Sequence, residues 1–230
     1  MPQLFIFGDS ITWGAWDPDG GGWAQRLRKD IDNYQVANRD FWCPTYNLGI
    51  SGDTSSGIAE RITREIKVRR DATEELIVLI AIGINDSIVD LRNGSNTLNV
   101  GVYTENLRNI LNQAHVVSKK VGFIGLTPVN QDLVDPLPWD SNKAYHLDRV
   151  ELFNKNCQQF CSAGSVPFLP IWDSWIEHDY RSILSDGLHP NAKGHDLLYF
   201  SVRKFLIETK FLVEPFKLTN DHTLKFPETS

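Results

Sequence analysis

The stretch that most constrains the fold is Glu75 to Ile82, ELIVLIAI, which is apolar at every position after the first. A strand with one face in water alternates apolar and polar residues, whereas a strand covered on both faces reads as a continuous apolar run. Such strands belong to parallel sheets with helices on either side. The rest of the chain repeats this signature. An apolar run at Leu4 to Phe7 precedes a helix-like segment from Trp23 to about Ile31, and a short strand over Thr45 to Leu48 precedes Thr54 to about Val68, with Ile58, Ile62 and Ile66 at helical spacing. A helix from Thr104, taken as its N-cap, to about Lys119 leads to a strand over Val121 to Gly125. A helix over Tyr145 to about Cys161 leads to a strand over Val166 to Ile171, and a last helix enters through Pro190 and runs from Asn191 to about Glu208. Strand and helix alternating five times predict an α/β fold: a single-domain three-layer α/β/α sandwich around a mostly parallel five-stranded sheet. The domain is expected to span residues 1–210, with a tail over 211–230 that contains Pro215 and Pro227.

Composition narrows the function classes. A net charge of -6 and a pI near 5.5 oppose a nucleic-acid surface, and the longest apolar run falls far short of the ~20 residues of a membrane helix. The expected partner is a small molecule, without nucleic acid and without stable membrane insertion. The pattern carries no signal for oligomeric state. With no signal-like leader, the expected location is cytoplasmic. Cys43, Cys157 and Cys161 lack zinc-ligand spacing and read as structural thiols. The glycines at 20–22 lack the Gly-Lys-Ser/Thr ending of a nucleotide loop.

In a parallel sheet, the loops at the carboxyl ends of the strands form the ligand crevice. Four polar clusters fall there: Asp9-Ser10, Asn47 to Gly52, Gly83 to Asp86, and Asp186 to Pro190. Acyl transfer needs a nucleophile, a base, a group that orients the base, and donors for the oxyanion. Ser10 suits the first role, His189 the second and Asp186 the third. The backbone N–H groups of Ser10 and Gly52 and the amide of Asn85 suit the last. Gly187 lets one loop present both Asp186 and His189. His115, His146, His178, His195 and His222 have no matching context. Trp13, Trp16 and Trp139 are expected to wall a small apolar substrate pocket.

In order along the chain, GDSITWG, NLGISGDTSSG, GIND and DGLHPNAKGH resemble the separated blocks of the SGNH hydrolases, also called GDSL lipases or esterases. Ile11 stands where that name has leucine. The resemblance implies the flavodoxin-like SGNH fold and the same roles for Ser10, Gly52, Asn85, Asp186 and His189. It also implies a small-molecule ester substrate cleaved through an acyl-enzyme, with no metal or cofactor. Short-chain acyl or acetyl esters are the leading substrates; lysophospholipase, thioesterase or acyltransferase activity would use the same machinery.

Overall fold

The computed structural model describes residues 1–92, 95, 96 and 98–212. Five strands, β1 (Pro2–Gly8), β2 (Thr45–Gly49), β3 (Glu75–Ala81), β4 (Lys120–Ile124) and β5 (Phe168–Leu169), form one sheet in the order β2-β1-β3-β4-β5. All four pairings are parallel. This 2-1-3-4-5 order is the flavodoxin-like one, with its crevice at the carboxyl ends of the adjacent strands β1 and β3, where the strand order reverses.

The apolar runs bury both faces. Phe5, Phe7, Val78 and Ile80 point into one core with helices α3 (Ser55–Arg69), α4 (Val100–His115) and α5 (Leu147–Ala163). Leu4, Ile6, Ile77 and Leu79 point into the other, with α2 (Trp23–Ala37) and α6 (Ala192–Glu208). Period-two alternation within β1 and β3 therefore supplies two cores from one strand each. A one-turn helix, α1 (Ser10–Trp13), follows β1 directly.

Element types agree with the sequence reading, and several ends do not. Helix α4 starts at Val100 rather than Thr104. Asn99 caps it by accepting from the Gly101 N–H at 2.7 Å, while the Thr104 hydroxyl donates back to the Val100 carbonyl. Gly101 weakens the helical signal in that first turn. Helix α2 continues to Ala37, past the expected end near Ile31, which the sequence does not mark because the last turns lie near the surface and carry no apolar stripe. Only Phe168 and Leu169 of the fifth strand pair with β4.

The segment between β4 and α5 holds a short helix, Gln131–Val134, and a strand, Lys143–Ala144, that joins a small antiparallel sheet with Val89–Asp90 and Ser95–Asn96. Phe211 and Leu212, at the start of the expected tail, are buried beside Phe205. The remainder of the tail, with His222, Pro215 and Pro227, lies outside the described residues. All three cysteines are free and buried. No helix among the described residues is long and apolar enough to cross a membrane.

Candidate active site

Chain geometry at the end of β1 sets the depth of Ser10. Asp9 caps α1 by accepting from the Ile11 N–H at 2.9 Å, and Gly14 closes it at φ 119°, a conformation that favours glycine. Gly8 and Gly49 are also required: a Cβ on Gly8 would lie 2.1 Å from the Thr12 hydroxyl, and one on Gly49 would lie 2.3 Å from the Trp13 nitrogen. The turn is thus pressed onto the sheet edge. Ser10 is consequently buried, only 5% exposed, at the floor of a cavity.

Above it stands the loop that precedes α6. The Ser10 hydroxyl lies 3.0 Å from His189 Nε2, and His189 Nδ1 lies 2.8 Å from Asp186 Oδ2. Asp186 Oδ1 accepts from the backbone N–H groups of Leu188 (3.0 Å) and His189 (2.8 Å), which fixes the carboxylate to its own loop. Gly187, at φ 88°, makes the turn between them. Burial acts to raise the Asp186 pKa, but the hydrogen bonds from the His189 side chain and backbone outweigh it and hold it at about 2. Asp186 is therefore an anion at neutral pH. It can accept an N–H and cannot donate one.

The donor side is assembled from β2 and β3. Gly52 turns at φ 79° with open space where a Cβ would stand, and it lines the cavity with Ser51 and Asn85. Asn85 Nδ2 donates to the Asp53 carbonyl at 2.8 Å, and its Oδ1 accepts from the Tyr145 hydroxyl at 2.6 Å. An amide nitrogen has two hydrogens, so one remains for the cavity, and the Asp53 carbonyl, which can only accept, fixes which end of the amide is the donor. Beneath it, the carboxylate of Asp86 accepts from the backbone N–H and hydroxyl of Ser55 at the start of α3. The same two-residue turn thus aims Asn85 and anchors the helix that follows Gly52.

The cavity measures about 240 Å3. Trp16, Trp139 and Leu188 complete its walls together with Tyr145. Trp16 and Trp139 flank the imidazole, with ring centroids 5.6 and 6.2 Å from that of His189. Trp13 is not in this lining. It meets Trp16 edge-on at 6.1 Å and borders a neighbouring surface recess with Pro18.

Four residues that sequence reasoning passed over shape the site. Tyr145 orients Asn85, and Asp86 ties the turn of Asn85 to α3. Arg61, nearly buried in α3, pairs with Asp53 at 2.7 Å and donates to the Leu48 carbonyl at 2.8 Å, clipping the end of β2 to α3. Its signal was visible: Arg61 interrupts the apolar stripe of Ile58, Ile62 and Ile66. His195, fully buried, accepts from the Trp23 N–H at 3.2 Å, and its Nε2 donates to the Ala15 carbonyl at 2.9 Å. Burial lowers its pKa, consistent with a neutral ring. The glycines at 20–22 belong to a closed turn, because Asp17 accepts from the Gly20 and Gly22 N–H groups and from Arg26.

A parallel sheet in this order, with a serine, a histidine and an aspartate in hydrogen-bonding line at its carboxyl edge, defines a hydrolase-like α/β class. The profile of the GDSL-like lipase/acylhydrolase family matches residues 6–197, and the chain belongs to that family. It is 26% identical over 212 residues to the isoamyl acetate-hydrolyzing esterase 1 homolog of Rattus norvegicus, an alignment covering 86% of this chain and 79% of the relative. The Homo sapiens homolog is likewise 26% identical over 209 residues, covering 86% and 78%. Among solved structures, the fold is similar to a lipase/acylhydrolase from Enterococcus faecalis, with a TM-score of 0.69, 22% identity and coverage of 90% and 95%. It is also similar to Axe2, an acetylxylan esterase from Geobacillus stearothermophilus, with a TM-score of 0.66, 17% identity and coverage of 89% and 94%.

Proposed function

We propose that this ester hydrolase works through Ser10, His189 and Asp186 and that it prefers short-chain acyl esters, acetyl esters foremost. The observation that carries the first part is the unbroken line from Ser10 Oγ through His189 to the Asp186 carboxylate, at 3.0 and 2.8 Å. In this reading, Ser10 Oγ attacks the ester carbonyl carbon while His189 Nε2 takes its proton. The carbonyl π electrons move to oxygen, and that oxyanion faces the N–H groups of Ser10 and Gly52 and the free amide hydrogen of Asn85. Collapse expels the alcohol, which leaves with the proton from His189. Water then attacks the acyl-enzyme by the same path, releasing the acid and restoring Ser10. Asp186 keeps the tautomer in which Nε2 is the acceptor and stabilises the imidazolium formed at each step.

Three observations support short acyl groups. The cavity of about 240 Å3 is bordered by bulky rings, which favours a short acyl group beyond the carbonyl. The relatives are named for isoamyl acetate hydrolysis, and the fold neighbour Axe2 for acetylxylan. Trp16 and Trp139 supply the flat apolar walls of this pocket, with Trp13 as a support behind Trp16. We also propose a reducing compartment such as the cytoplasm, a reading supported by three buried cysteines that form no disulfide.

The test is a series of p-nitrophenyl esters from acetyl to dodecanoyl, run on the parent and on Ser10→Ala. The parent is expected to show its highest kcat/KM at acetyl or butyryl. Ser10→Ala is expected to stay folded and lose turnover. Turnover retained without the hydroxyl would remove Ser10 from its role, and a preference for dodecanoyl would refute the small pocket.

A further inference from the structure

Asp186 receives four hydrogen bonds, and three of them come from its own loop. The fourth comes from the other end of the chain. Trp16 Nε1–H donates to Asp186 Oδ2 at 3.0 Å, to the same oxygen that accepts from His189 Nδ1. The indole also meets the His189 ring edge to face, at an interplanar angle of 62°. Neither Trp13 nor Trp139 makes such a bond to Asp186.

The backbone of Trp16 is held as firmly as its ring. Its N–H donates to the Pro190 carbonyl at 3.1 Å, just beyond His189. The preceding Ala15 donates to the Ser10 carbonyl at 3.0 Å and accepts from His195 Nε2 at 2.9 Å. The segment is therefore fastened to the turn of the nucleophile on one side and to the loop of the base on the other. A half-exposed ring on a fixed backbone, with its one donor aimed at the orienting carboxylate, does more than wall a pocket.

We propose that Trp16 is a positioning residue for the Asp186–His189 pair. The inference rests on the serine-hydrolase reading above. A carboxylate oxygen has two lone pairs, and the indole N–H takes one of those on Oδ2 while His189 takes the other. Two donors on one oxygen resist rotation of the carboxylate away from the imidazole. They also share its charge, so Asp186 attracts the proton of His189 less strongly than a carboxylate without the indole would. Removing the N–H leaves Oδ2 more basic and less well aimed. The rate falls, and the acid limb of the pH profile moves upward.

The other ionisable groups around the pair keep their places in such an experiment. Asp9 lies under Ser10 with Asp53 and Asp86 behind it, His195 lies behind Ala15 with Asp17 and Arg26 nearby, and Tyr145 stands across the cavity. A shift in the limb is thus assignable to position 16.

The experiment compares the parent, Trp16→Phe, and Trp16 replaced by benzothienylalanine, which keeps the bicyclic shape and exchanges N–H for sulfur. Values of kcat and KM for p-nitrophenyl acetate are measured from pH 5 to 9, beside Ser10→Ala. Both position-16 variants are expected to lose roughly 3- to 10-fold in kcat and to move the acid limb upward, as suits the loss of one partly exposed hydrogen bond to a charged group. For the benzothienyl protein, KM is expected to stay within about twofold, because the wall is intact. A benzothienyl protein with the kcat and acid limb of the parent overturns the proposal, and it carries the test even where Trp16→Phe disturbs packing. An active Ser10→Ala would instead overturn the serine-hydrolase reading. An inactive Ser10→Ala beside a parent-like benzothienyl protein removes only the role of Trp16.

Discussion

Ser10 separates two regions that treat the same side chain in opposite ways. Below it, on the sheet side, Asp9 is 3% exposed and accepts one backbone N–H, from Ile11. Burial pushes its pKa up to about 7, against that N–H and the attraction of His189. Above it, at the mouth, Asp186 collects four donors and is held at about 2. The floor withholds solvent and donors, and the mouth supplies both. The carboxyl beneath Ser10 is therefore still partly protonated at neutral pH, while the one beside the histidine is kept charged.

The strongest way to break this comparison is to make the same substitution on both sides. Asp186→Asn is expected to lower kcat by roughly 10^4-fold, since the amide permits the wrong imidazole tautomer. An effect below tenfold would make Asp186 dispensable. Asp9→Asn is expected to act on stability instead. The unfolded acid ionises near 3.8 and the folded one near 7, so the parent loses stability as pH rises from about 4 to about 7 and then levels off. The difference of roughly three pKa units corresponds to on the order of 4 kcal/mol. Urea titrations at pH 4.5 and 7.5 should show Asp9→Asn gaining on the parent at the higher pH. A constant gap between the two would mean that Asp9 is solvated like any surface carboxylate.

Asn85 sits at the boundary of the two regions, and its substitution sharpens the account of the oxyanion. Asn85→Ala is expected to cost roughly 2.7 to 4 kcal/mol in the transition state, read in kcat, and Asn85→Asp to cost more by placing an anion beside a developing negative charge. A loss confined to KM would make Asn85 a ground-state contact. The smallest effect is expected at the outer wall. Trp139→Ala should lower the acetyl-over-octanoyl ratio of kcat/KM by about 3- to 10-fold, and Trp13→Ala should change it less, because Trp13 does not line the cavity. Equal effects from both would mean that the aromatic rim acts only through stability.

The same division explains what was legible in the sequence. Strands β1 and β3 announce themselves because both faces are buried, and a continuous apolar run has few other uses. Ser10, Gly52 and Asn85 stand in short local patterns at strand ends, and Asp186 and His189 in one just before α6, so topology brings them together. The depth of Ser10 was not legible, because it depends on how closely Gly8 and Gly49 let the turn press onto the sheet. Nor was the Trp16 N–H, or the hydroxyl of Tyr145, since each finds its partner 170 or 60 positions away. Residue type gave the wall at Trp16 and nothing at Tyr145. The partner gave the chemistry, and a single sequence names no partners.

The central claim is that Ser10 is the nucleophile activated by His189. The most direct measurement is mass-spectrometric mapping of the adduct formed by a fluorophosphonate ester, on the parent, Ser10→Ala and His189→Ala. One equivalent is expected on Ser10 of the parent, with loss of activity in step with labelling, none in Ser10→Ala, and far slower labelling in His189→Ala. An adduct on any other residue that tracks the loss of activity, or undiminished labelling without His189, would contradict the account.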